Sequence, residues 1–106
     1  MATYKVLGQS APSAATATTL FTAGSATIIS TLNAANIGGT QDTIRIAIRP
    51  SGATLANQHY IAYGVPLAAG AVFSIQGGLT LANTDVVTVY STTGNTSFTA
   101  TGSDGN

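Results

Sequence analysis

Between Asp42 and Arg49 the chain reads DTIRIAIR. Ile44, Ile46 and Ile48 alternate with Thr43, Arg45, Ala47 and Arg49. Successive side chains of an extended strand point to opposite faces. The isoleucines are therefore predicted to share a buried face, and the two arginines the outer one. Short apolar runs closed by turn residues recur along the chain, which is the pattern of an all-β domain. Strands are predicted at residues 4–7, 19–22, 26–34, 42–49, 58–63, 72–76, 84–91 and 96–101. Gly8, Ala23-Gly24-Ser25, the 36–40 loop, Pro50-Ser51-Gly52, Gly64 with Pro66, Gly77-Gly78 and Gly94-Asn95 punctuate them. Residues 11–17 read as an extended loop, and the tail at 102–106 as flexible.

About seven to nine short strands bury their apolar faces most simply as two packed antiparallel sheets. The expected fold is a two-layer antiparallel β-sandwich, jelly-roll-like or immunoglobulin-like, formed by one domain over residues 1–106. The expected core is Ile28, Leu32, Ile44, Ile46, Ile48, Phe73, Ile75 and Phe98. In this reading Ile28 and Leu32 share one face of their strand, and so do Phe98 and Ala100. LAAGAVF and TLANT are the only helix candidates, and both are short and interrupted.

Composition changes the picture mainly through charge. Only 6% of residues are charged, with three basic and three acidic side chains and no net charge, against about 25% charged in a typical domain. The 44% hydrophobic content excludes disorder. Near-zero net charge favours association, so a homo-oligomer is expected, a trimer among the arrangements considered. Three basic residues give no field for phosphates, so no nucleic-acid partner is expected. No stretch approaches the ~18 apolar residues of a membrane helix. The opening MATYKVLGQ lacks the pattern of a signal peptide.

Candidate chemistry is sparse. Cysteine is absent, which removes disulfides and thiolate metal sites. His59 is the only histidine and Asp42, Asp85 and Asp104 are the only carboxylate side chains. No nucleophile-elbow sequence supports a serine hydrolase. Calcium needs several carboxylates at one site, and Asp85 reads instead as a turn-capping residue bonded to nearby amides. The glycine pairs lack the lysine and helix of a phosphate loop. The expectation is a protein that is not an enzyme and holds no metal or cofactor. What remains is a candidate interface of Arg45, Arg49, His59, Tyr60 and Tyr63. Strict alternation places Tyr60 and Tyr63 on opposite faces, with at most one of them in the core.

The opening MATYKVLGQSAPSAATATTLFT, the middle RIAIRPSGATLANQHYIAYGVPLAAG and the end GLTLANTDVVTVYSTTGNTSFTATGS resemble a family of short virion structural proteins of tailed phages, of the type found in phages of cyanobacteria. The resemblance spans nearly the whole chain. Its most specific piece runs from Arg45 to Tyr63, as R-x-A-x-R-P-x-G-A-x-L-A-N-x-H-Y-I-A-Y. Phe21-Thr22-Ala23-Gly24 and Asn83-Thr84-Asp85 depart from it, where the family tends to read Tyr-Thr-Val-Pro and Ala-Gly-Asp. The resemblance implies a component of the virion, made in the host cytoplasm. The favoured role is a capsid decoration or cement protein docked on the major capsid protein. The alternatives are a tail, baseplate or fibre-associated component, or a surface carbohydrate-binding adhesion module, which an exposed aromatic cluster would favour.

Overall fold

The computed structural model describes residues 3–104 of the chain. Within them run eight strands: β1 (Thr3–Ser10), β2 (Thr18–Thr22), β3 (Thr27–Asn36), β4 (Asp42–Arg49), β5 (Tyr60–Leu67), β6 (Val72–Leu81), β7 (Val86–Ser91) and β8 (Thr96–Asp104). The helical content among the described residues is two single 3-10 turns, Pro50–Gly52 and Asn57–His59. The strands form two four-stranded sheets, ordered β1-β8-β3-β6 and β2-β7-β4-β5. Every neighbouring pair is antiparallel.

This order has a simple origin. β1 pairs with β8, β2 with β7, β3 with β6 and β4 with β5. The chain is thus one long hairpin with its tip between β4 and β5. Rolling that ribbon brings β3 against β8 and β4 against β7. The result is a jelly-roll sandwich, which resolves the choice between jelly-roll and immunoglobulin-like topology.

The inner faces meet in a core that includes Leu20, Ile29, Leu32, Ile44, Ile46, Val87, Val89, Phe98 and Ala100. Ile44, Ile46, Leu32 and Phe98 are fully buried, as the alternation predicts. Ile48, Phe73 and Ile75 pack against the core while remaining partly exposed. For Phe73 and Ile75 the reason is position, because β6 is an edge strand. Replacing Ile46 by alanine is expected to cost about 3 kcal/mol through lost burial and a residual cavity. Chemical denaturation of the variant measures this, and an unchanged midpoint would place Ile46 outside the core.

Ile28 corrects the alternation. It is 51% exposed, and Ile29 is buried in its place. The pairing of β3 with β8 steps from Ile29–Gly102 to Thr31–Thr101, leaving Ser30 as an extra residue. A bulge of this kind shifts the side-chain phase by one. Matching irregularities lie between Val6 and Gly8 on β1 and at the Gly77–Gly78 segment of β6, where Gly78 has φ +94. The extra residues thus lie at one level on β1, β3 and β6, while β8 runs through that level without one.

Several strands outrun their predicted ends. β6 continues through Gly77-Gly78, and β5 through Gly64 and Pro66. Proline is tolerated there because β5 is the other sheet's edge. Residues 102–104, predicted as flexible tail, belong to β8, and Asp104 is buried beside Lys5 in an ion pair of 2.8 Å. Residues 105 and 106 lie outside the described residues. Gln58 and His59, predicted as strand, form the second 3-10 turn.

Candidate functional site

The outer face of the β2-β7-β4-β5 sheet gathers most of the chain's distinctive side chains. β4 is central, with β7 on one side and β5 on the other. Arg45 sits opposite Tyr90 of β7 and Tyr63 of β5. Its guanidinium carbon is 4.3 Å from the Tyr90 ring centroid and 4.4 Å from that of Tyr63. Rings on the two flanking strands place the planar cation between them. Each contact of this kind contributes about 0.5–1 kcal/mol when exposed and more when water is excluded. Tyr60 meets Tyr63 edge to face, with centroids 4.9 Å apart and planes at 84°.

Tyr60 and Tyr63 therefore lie on one face, contrary to strict alternation. The cause is again a bulge. Tyr60 pairs with Ala47 and Ala62 with Ile46, so Ile61 is an extra residue between them. A second irregularity at Gly64, with φ +66, follows directly. Both tyrosines thus project beside the outward positions Arg45 and Ala47. Tyr63 is 62% exposed, and an open groove is lined by Asn57, Tyr60 and Tyr63.

Arg49 and His59 have different work. Arg49 lies on the same face of β4 as Arg45, as predicted, but it is bonded within the chain. Its Nε donates to Thr88 Oγ1 at 3.0 Å and its Nη1 to the Ala53 carbonyl at 3.1 Å. His59 is buried, and its Nδ1 accepts the Ala56 N–H at 3.0 Å. Both side chains hold the connection from β4 to β5 in shape. Of the five candidate residues the structure brings Arg45, Tyr60 and Tyr63 together. Tyr90 completes the group and was not among the candidates. Its outward phase follows from the inward Val87 and Val89, but its pairing with Arg45 is set by the sheet order.

The aspartates are dispersed. Asp42 is buried at the start of β4 and accepts four hydrogen bonds, from the Ser91 and Thr96 hydroxyls and from the Thr43 and Thr93 N–H groups. Burial alone would raise its pKa. The four bonds outweigh burial and hold the carboxyl at about 2. Asp85 caps its turn as predicted, accepting the Ser51 and Ala82 N–H groups at 2.9 Å each, and these bonds lower its pKa. Asp42 and Asp85 stand at opposite ends of the β4–β7 pair, about eight residue positions or roughly 27 Å apart at ~3.4 Å per residue. That separation is too long for paired carboxylates of glycoside chemistry. Neither carboxylate bonds His59. Among the described residues, no three His, Cys, Asp or Glu side chains are placed to hold a metal ion.

The two segments that depart from the resembled pattern touch one another. Ala23 N–H donates to the Asp85 carbonyl, and Thr84 N–H to the Ala23 carbonyl. Thr84 has φ +76, in the left-handed region that favours glycine. No family model, no curated protein and no solved structure matches this chain. The jelly-roll assignment rests on strand order.

Proposed function

We propose that the chain is a structural protein of a tailed-phage virion, a decoration or cement domain that docks on the major capsid shell through the Arg45 face. One observation carries the reading. A protein nearly devoid of charge places a half-buried arginine between two tyrosines on its outer surface, with no acid of its own to pair it. Tyrosine and arginine are the residues enriched at protein interfaces and their hot spots. The sequence resemblance supports the virion context. The jelly roll is used by capsid and lectin domains alike, an analogy of fold only. A charge-poor surface suits constitutive contact with protein neighbours, including further copies of this chain.

A second reading is an adhesion module that binds host glycans, and a specific observation favours it. Exposed Tyr63 and half-buried Tyr60 line an open groove with Asn57, an aromatic surface of the kind such a module uses.

The test is occupancy on purified particles. Arg45→Ala is expected to leave the isolated fold intact and to reduce occupancy about tenfold. Arg49→Ala is expected to loosen the β4–β5 connection, because it deletes two internal hydrogen bonds. Combining the two adds that loosening to the docking defect. Full occupancy of Arg45→Ala would remove this face from docking. Immunogold labelling confined to the tail would remove the capsid assignment.

A further inference from the structure

Resting on the docking reading, we infer that Arg45 is a receptor for one carboxylate, supplied by an aspartate or glutamate side chain of a partner protein. The inference begins with what the guanidinium has left to offer. Tyr63 and Tyr90 flank it, with ring centroids 4.4 Å and 4.3 Å from the guanidinium carbon. Among the described residues Arg45 makes no hydrogen bond or ion pair, so its N–H edge is unspent. A guanidinium presents five donors in a rigid planar fork that matches a carboxylate bidentately. Here the two rings hold the guanidinium in place before any partner arrives, so less side-chain freedom is lost on binding. They also shield the half-buried guanidinium from water, which strengthens an ion pair there relative to one in open solvent.

The carboxylate has to come from another molecule. Glutamate is absent and there are three aspartates. Asp42 is buried under four hydrogen bonds, Asp85 accepts two backbone N–H groups, and Asp104 pairs with Lys5. The surroundings favour a protein side chain over an acidic sugar. A sugar platform requires open ring faces, and two of the three tyrosines spend a face on the guanidinium. Tyr63, 62% exposed, and Tyr60, packed edge to face on it, add an aromatic rim of the kind that surrounds an interfacial ion pair. Arginine is specified over lysine, because an ammonium has neither the plane to stack nor the fork to chelate.

The experiment is a titration of the full chain, labelled with nitrogen-15, with the capped tripeptide acetyl-Gly-Glu-Gly-amide and, separately, with sodium glucuronate. The chain has only two arginines, so two side-chain Nε–H resonances report. Arg49, bonded to Thr88, is the internal reference. Expected is a saturable shift of the Arg45 resonance with the peptide while Arg49 stays still. Arg45→Lys and Tyr63→Ala, each checked for an unchanged melting temperature, are expected to weaken the peptide at least about tenfold in backbone-detected titrations. Absence of a saturable Arg45 shift overturns the proposal, as does equal peptide affinity of Arg45→Lys. Glucuronate binding as tightly as the peptide, or more tightly, overturns the commitment to a protein carboxylate and favours the glycan reading. The docking reading fails separately, by full particle occupancy of Arg45→Ala.

Discussion

Asp42→Ala is expected to remove about 5 kcal/mol of stability, a large part of the roughly 5–15 kcal/mol available to a domain of this size. The side chain is 1% exposed. Its Oδ1 takes the Thr43 and Thr93 N–H groups, and its Oδ2 the Ser91 and Thr96 hydroxyls. These donors come from β4, from the end of β7, from the turn after it and from the start of β8. One carboxylate therefore joins the two sheets where the chain crosses between them. Alanine leaves four donors without an acceptor in a buried place, each costing about 1–3 kcal/mol before relaxation. Asparagine keeps one acceptor oxygen and is expected to fall between alanine and wild type. The same group predicts a pH dependence. Its pKa is lowered from the ordinary 3.8 to about 2, so the unfolded chain binds the proton more readily than the folded one. Its contribution, about 2–3 kcal/mol, is present above roughly pH 5 and is lost as pH falls from about 4 through 2. Urea midpoints measured from pH 6 to pH 2 should decline for wild type and change much less for Asp42→Ala. Parallel declines would assign the acid sensitivity to other groups.

Gly102→Ala is expected to cost about 4 kcal/mol or more, the range reserved for a clash the backbone cannot relieve. A Cβ at residue 102 would stand 2.0 Å from the Ile28 carbonyl oxygen and 2.9 Å from the Ser30 nitrogen. Both are backbone atoms of the bulge on β3, so no side chain can turn away to make room. Relief would require undoing the bulge, which would turn Ile29 out of the core and Ile28 into it. Gly24→Ala is the control, since a Cβ there meets nothing within 4 Å, and it is expected to change stability by less than about 0.5 kcal/mol. Denaturant midpoints of the two variants check the contrast. Equal stability would mean that β3 and β8 do not approach at this bulge.

The candidate site was half legible in the sequence. Alternation in DTIRIAIR placed Arg45 outward, because β4 itself carries no extra residue to disturb its phase. Tyr60 and Tyr63 were separated by the same rule, since an inserted residue looks like any other until its partner strand is known. Gly64 has the sequence signature of a strand end, yet it marks an irregularity inside β5. Arg49 illustrates a different limit. Its outward face was correct, yet its bonds to Thr88 and Ala53 depend on how the β4–β5 connection folds back.

The sequence by itself determined the class of fold and the number and approximate place of the eight strands. Period-two burial and turn residues are local properties, and the apolar content needed two faces to bury. It also determined the sparse chemistry, because composition bounds which reactive groups exist. Tertiary structure alone decided the nested strand order, the bulges and the convergence on Arg45. Strand partners lie tens of residues apart in the chain, and the phase of each strand depends on the residue count of the strand it meets. A one-residue slip exchanges the faces of everything beyond it. That dependence buried Ile29 in place of Ile28, and it set Tyr63 and Tyr90 on either side of one arginine.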